Sequence, residues 1–134
     1  MRGTCLIGCS KRKRRDSCAA KDMYQGTLFK KSLKYALAHY DMVLILSAKY
    51  GVLHLDDNID PYDYTLSQMS IEQYMEWVNK VKIQLKRYNP PFVFLTGSLY
   101  HKEFEGEKPL LGKSIGKMLQ FFTEKEKQMH RTLF

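Results

Sequence analysis

Three short, wholly apolar runs separated by stretches of helical periodicity predict an α/β fold. The runs are Thr4 to Cys9 (TCLIGC), Val43 to Leu46 (VLIL) and Phe92 to Leu95 (FVFL). Each is too brief for a helix and lacks the alternation of a half-exposed strand, so each reads as a strand buried on both faces. Strands of that kind with helices between them predict a short, mostly parallel sheet covered on both sides, a Rossmann-like three-layer sandwich with right-handed crossovers. The 134 residues are enough for one such domain spanning 1–134.

Between the strands, Cys18 to Tyr24 is expected to form a helical turn. From Thr27, a residue suited to capping a helix, Phe29, Leu33, Ala36, Leu37 and Tyr40 recur at helical spacing, with Lys30, Lys31 and Lys34 off the stripe. Ser70 is expected to cap a long amphipathic helix whose stripe is Ile71, Tyr74, Met75, Val78, Val81 and Leu85. Asn89-Pro90-Pro91 stops it. Ser98 opens a short helix to Phe104, and Gly106 and Pro109 break the chain again. Ser114 opens the last helix, with Ile115, Met118, Leu119 and Phe122 on one face, and the charged tail beyond is expected to fray. Short additional strands have room within Asp56 to Leu66 and Glu105 to Leu111, so strand order stays open.

The formal net charge is +8, from 22 Lys and Arg against 14 Asp and Glu. Such an excess favours a polyanionic partner, nucleic acid before an anionic membrane surface. Five of the cations are consecutive, Lys11-Arg12-Lys13-Arg14-Arg15, directly after the first strand, and read as a phosphate-binding arm, with a solvated loop as the alternative. No apolar run approaches the length of a membrane span, and the first residues lack a signal-peptide pattern, so a cytoplasmic protein is expected. Three cysteines and four scattered histidines lack the paired spacing of a zinc site, and neither a metal nor a cofactor is expected.

Parallel strands place their carboxyl ends along one edge, where α/β proteins bind ligands. Here those ends carry Cys9-Ser10-Lys11, Ser47-Ala48-Lys49-Tyr50 and Thr96-Gly97-Ser98-Leu99-Tyr100. The stretch from Val43 to Leu66, an apolar run that breaks into hydroxyl, ammonium, phenol and carboxylate groups, is expected to form the floor and one wall of the site. Within it, Pro61 stiffens a loop, Tyr62 offers a ring to stack on a flat ligand, and Asp60 or Asp63 can orient a water or stabilise positive charge on a sugar. The alternative for these carboxylates is an ordinary Asp-Pro turn. Lys49 is read as a phosphate ligand, a leaving-group stabiliser or a Schiff-base lysine, with a plain surface lysine as the alternative. Gly112-Lys113-Ser114 lacks the upstream glycine of a P-loop, since that position is Glu107. No Gly-rich dinucleotide fingerprint follows the first strand, and Ser47 is not in a nucleophile elbow.

The segment LSAKYGVLHLDDNIDPYDYTL resembles the signature of the YaaA superfamily, the peroxide-stress proteins and their small relatives of unknown function. The similarity rests on Ser47, Tyr50, Gly51, Val52 and Leu53, then Pro61 and Tyr62. It extends to Cys9-Ser10-Lys11, Tyr24 to Phe29, Gly97 to Tyr100, Pro109 to Gly112 and Ile115-Gly116. The resemblance implies an α/β fold and association with nucleic acid or nucleobases. The chain is far shorter than the peroxide-stress proteins. The Asp60-Pro61-Tyr62 loop is also similar to the D-P-Y loop of uracil-DNA glycosylases, where the aspartate serves water activation.

These readings converge on a nucleobase-processing protein acting on DNA, with an N-glycosidic bond enzyme for a modified base as the leading form. Asp63 or Asp60 would meet positive charge on the sugar, and Lys49, Ser47 or backbone amides would meet negative charge on the departing base. Cys9, Ser10, Lys11, Tyr50, Tyr62, Gly97, Ser98 and Tyr100 would contact substrate, and Lys11 to Arg15 would hold phosphates. A non-catalytic DNA-binding module and an enzyme acting on a free nucleotide or nucleoside are the alternatives.

Overall fold

The chain runs β1 (Thr4–Gly8), β2 (Cys18–Ala19), α1 (Ala20–Met23), α2 (Thr27–His39), β3 (Met42–Ser47), β4 (Gly51–His54), β5 (Asn58–Ile59), α3 (Ile71–Leu85), β6 (Phe92–Leu95) and α4 (Ile115–Leu133). Single 3-10 turns lie at Leu66–Gln68 and Ser98–Tyr100. The structure, a computed structural model, describes residues 3–133.

The main sheet has the order β4-β3-β1-β6. β1 sits centrally and pairs in parallel with β3 (Leu6 opposite Leu44) and with β6 (Leu6 opposite Phe94). Alternate residues of these strands feed two cores. Cys5, Ile7, Val43, Ile45, Val93 and Leu95 pack under α2 and α4 with Phe29, Ala36, Met118 and Phe122. Leu6, Leu44, Leu46 and Phe94 pack under α3 with Tyr74, Trp77, Val78, Val81 and Leu85. Both faces are covered, which is why the strands read as unbroken apolar runs. The architecture is the expected single α/β domain with a mostly parallel sheet between helical layers.

The fourth strand differs from the parallel expectation. β3 turns back through Ala48-Lys49-Tyr50 into β4, which pairs antiparallel with it, Ser47 opposite Gly51. Gly51 takes φ +75°, the left-handed conformation that ends a three-residue hairpin loop. The Gln84 side chain of α3 clamps the turn, its Oε1 accepting from Val52 N at 2.8 Å and its Nε2 donating to Tyr50 O at 3.3 Å.

Local details also depart from expectation. Gly26, not Thr27, holds the cap position of α2, and no side chain caps it. Leu37, Ile71 and Ile115 are exposed. Leu37 lies about 100° around α2 from buried Ala36, outside the face the sheet covers, and Ser32 is buried in its stead, its Oγ donating to Leu28 O at 2.7 Å. Ile71 and Ile115 open their helices, ahead of the turns that reach the sheet. Ser98 begins only a 3-10 turn. The charged tail does not end the last helix: α4 continues to Leu133. It rests on α2 through Tyr35, 6.0 Å from Phe121 and 5.5 Å from Phe122, while Glu126 faces Lys31 and Lys34 at 4.0 and 3.9 Å. Of the two regions left open for extra strands, Asp56 to Leu66 holds one and Glu105 to Leu111 holds only an isolated bridge. β5 pairs antiparallel with β2, and Glu107 bridges Val93 in parallel beside β6. Ser70 does cap α3 in a capping box with Gln73. Among the described residues, no helix is long and apolar enough to cross a membrane.

Candidate functional site

The carboxyl ends of β1, β3 and β6 meet as the topology requires. Cys9 N donates to Leu46 O at 3.0 Å, which ties the end of β1 to the end of β3. Cys9 Sγ lies 3.3 Å from Tyr100 Oη, so the segment after β6 closes on the same point.

Ser47 organises the edge. Its Oγ accepts from Lys49 N at 3.1 Å and Tyr50 N at 3.0 Å, closing the hairpin turn. Two accepted bonds occupy both lone pairs, so its proton goes to Tyr62 Oη, 2.8 Å away. Tyr62 Oη lies 2.8 Å from Tyr24 Oη. Behind Ser47, Trp77 Nε1 donates to its carbonyl at 2.9 Å. Ser47 is fully buried and acts here as a positioning group for the Pro61-Tyr62 loop. Burial pushes the Tyr24 phenol up to about 12, against hydrogen bonds to Ser47 and Tyr62 that lower it. Burial, and then the neighbouring Cys9, raise Tyr62 and Tyr100 well above the usual phenol range. These three hydroxyls are neutral hydrogen-bonding groups at any physiological pH.

A cleft of about 460 Å³ opens at this edge on the α2 and α4 side. It brings together five of the predicted substrate contacts: Cys9, Ser10, Lys11, Gly97 and Tyr100. Its apolar wall includes Phe29, Leu95, Leu110 and Met118. The uncapped first turn of α2 faces it at Thr27 and Leu28. Ser10 Oγ accepts from Gly26 N at 3.2 Å, and a Cβ on Gly26 would sit 3.0 Å from Ser10 Cβ, so glycine permits this close approach.

The cationic run is anchored rather than free. Arg12 O accepts from Gln25 N at 2.8 Å and Arg14 N donates to Met23 O at 2.9 Å. This pairing points alternate side chains differently. Lys11, Arg12, Arg14 and Arg15 are exposed, and among the described residues no carboxylate pairs with them. Lys13 turns inward, its Nζ 4.3 Å from the Tyr62 ring centroid and 3.2 Å from Lys11 O. Burial lowers its pKa, with Cys9 and Asp63 opposing that shift through their charge. Lys13 is therefore a partly desolvated ammonium held on the Tyr62 ring, next to Lys11 of the cleft lining.

The remaining predicted residues fall elsewhere. Asp60 is held as loop architecture: Ser17 Oγ donates to its carboxylate, and Tyr50 Oη bonds both its N (3.1 Å) and its O (3.3 Å). Asp63 is exposed beside the Lys13 charge. Lys49 sits on the hairpin turn, on the α3 side of the sheet, 5.1 Å from the Tyr50 ring. Ser98 is exposed outside the cleft lining. Tyr62 is too enclosed to stack freely, with Tyr24, Tyr50 and Tyr64 rings within 6.4, 5.9 and 5.4 Å.

Sequence reasoning takes Lys13 for one more phosphate-binding cation and gives no site role to Tyr24 or the α2 N-terminus. Lys13 is hidden in a homogeneous charge run. The signal for the other two was Tyr24-Gln25-Gly26 directly before a helical pattern.

Residues 4–124 match the sequence profile of DUF6884, a family of unknown function, and the chain belongs to that family. No curated protein matches the chain.

Proposed function

We propose that this member of the family binds DNA and processes a nucleobase on it, cleaving the N-glycosidic bond of a modified base. One observation carries the reading. A mixed apolar and polar cleft at the carboxyl edge of a parallel sheet adjoins a run of exposed cations that no carboxylate of the described residues neutralises. The cleft accepts a flat apolar body against Phe29 and Met118. The α2 N-terminus and Lys11 attract phosphate beside it.

In the reaction, water oxygen bonds to the sugar carbon as the carbon–nitrogen bond breaks. The water proton passes to Asp63, and the bond's electron pair leaves with the base nitrogen, facing the Lys13 ammonium. Lys13 replaces Lys49 and Ser47 in this role, since Lys49 lies on the other side of the sheet and Ser47 has both lone pairs engaged.

The test is base release. The protein is incubated with genomic DNAs carrying different base modifications, the supernatant is analysed by mass spectrometry and the DNA is assayed for abasic sites. A released base is expected, with turnover abolished and DNA binding retained in Asp63→Asn. Firm binding at moderate salt without release moves the protein to a non-catalytic binding module, and unchanged turnover in the variant removes Asp63 from the mechanism.

A further inference from the structure

A second cleft, of about 480 Å³, lies at the same sheet edge on the α3 side. Lys49, Tyr64, Thr65, Gln68 and Lys80 contribute to its lining. Lys80 Nζ donates to Lys49 O at 3.2 Å, so the two lysines stand together along one wall. Neither forms an ion pair with a carboxylate among the described residues, although Glu76 shares the lining. Tyr64 presents a partly exposed ring there, 39% accessible. The first cleft has its cations and its apolar wall, and this one has its own cations and its own aromatic surface.

Tyr62 packs against both cores of the protein. The Lys13 ammonium lies 4.3 Å from the Tyr62 ring, and that ring lies 5.4 Å from the Tyr64 ring. A continuous line of cation and rings thus crosses from the Lys11–Arg15 side to the second cleft. Positive charge interleaved with rings is the surface chemistry that holds a single nucleic acid strand, phosphates on the ammonium groups and bases on the rings.

Resting on the proposed function, we infer that the second cleft is a binding site for the nucleotide adjacent to the processed one, and that the substrate is therefore a single-stranded segment rather than a free nucleotide. Tyr64 stacks on the neighbouring base, and Lys80 with Lys49 holds the intervening phosphates. The line through Tyr62 sets the path of the strand over the sheet edge.

The test measures the affinity of a fluorescently labelled single-stranded oligonucleotide by anisotropy and of a deoxynucleoside monophosphate by calorimetry. The parent protein is compared with Tyr64→Ala/Lys80→Ala. Lys80→Ala alone, on the exposed face of α3, serves as the variant that keeps every ring in place, and thermal melts check folding. The ratio of oligonucleotide to mononucleotide affinity is expected to fall roughly five- to hundredfold in the double variant, as for loss of a stacking platform. Lys80→Ala alone should flatten the logarithmic salt dependence of oligonucleotide binding by roughly 0.7 for each phosphate no longer neutralised. An unchanged ratio and an unchanged salt slope, with the parent binding the oligonucleotide, overturn the second site and leave the proposed function standing. A parent that binds no nucleic acid overturns both.

Discussion

His101 is a small polar group in an apolar place. It is 1% exposed, its Nδ1 lies 3.3 Å from Thr96 Oγ1, and its Nε2 has no hydrogen-bond partner among the described residues. Burial lowers its pKa from 6.5, and the nearby Lys108 charge lowers it further, against a hydrogen bond with the Thr96 backbone that raises it. A histidine with a depressed folded pKa binds fewer protons than the unfolded chain over the window below 6.5, so stability falls as pH drops through that window. The urea midpoint should be flat above that pH with respect to this group and decline below it. His101→Gln should lose that part of the slope. An identical pH profile for both proteins would mean that other groups drive acid unfolding.

At the scale of elements, the β3–β4 hairpin is where backbone conformation and packing combine. Gly51 and Gly112 have nearly the same left-handed φ, +75° and +76°. A Cβ on Gly51 would collide with the Gln84 side chain that clamps the turn, whereas Gly112 has nothing within 4 Å. Both substitutions to alanine should cost about 1–2 kcal/mol for the conformation alone. Gly51→Ala should cost measurably more, because Gln84 must give up its bonds to Val52 and Tyr50. Chemical denaturation of the pair isolates the clash. Equal losses would show that the clamp contributes nothing. The same hairpin fixes Ser47 Oγ, and through it the height of Tyr62 over the sheet edge.

For the molecule as a whole, the +8 charge is unevenly used. Lys31 and Lys34 face Glu126, and Lys21 pairs with Asp56 at 3.0 Å, while the exposed members of the Lys11–Arg15 run face solvent beside the cleft. Replacing Arg12, Arg14 and Arg15 with alanine should weaken DNA binding at moderate salt. It should also make the logarithmic salt slope shallower by roughly 0.7 for each single-strand phosphate these side chains neutralise. Melting temperature should hardly change, since these side chains lie at the surface. Binding that survives unchanged would place the nucleic-acid interface elsewhere.

Layer order was legible because buried parallel strands leave a local mark: TCLIGC, VLIL and FVFL could serve only as strands covered on both faces. Three strands in parallel then determined that Cys9, Ser47 and Thr96 share one edge, and Cys9 does reach both Leu46 and Tyr100. What the tertiary structure decided were the pairings that depend on partners far along the chain. The hairpin after Ser47 looked like a polar ligand cluster, because its return strand has four residues and its clamp comes from Gln84. The charged tail stayed helical because α2 supplies Tyr35, Lys31 and Lys34 to hold it. Lys13 became distinct from its four cationic neighbours only when strand-like pairing with Met23 and Gln25 turned it onto Tyr62. Local periodicity reports how much of a segment is buried; side-chain direction and partner identity at the sheet edge are set by contacts that no window of sequence contains.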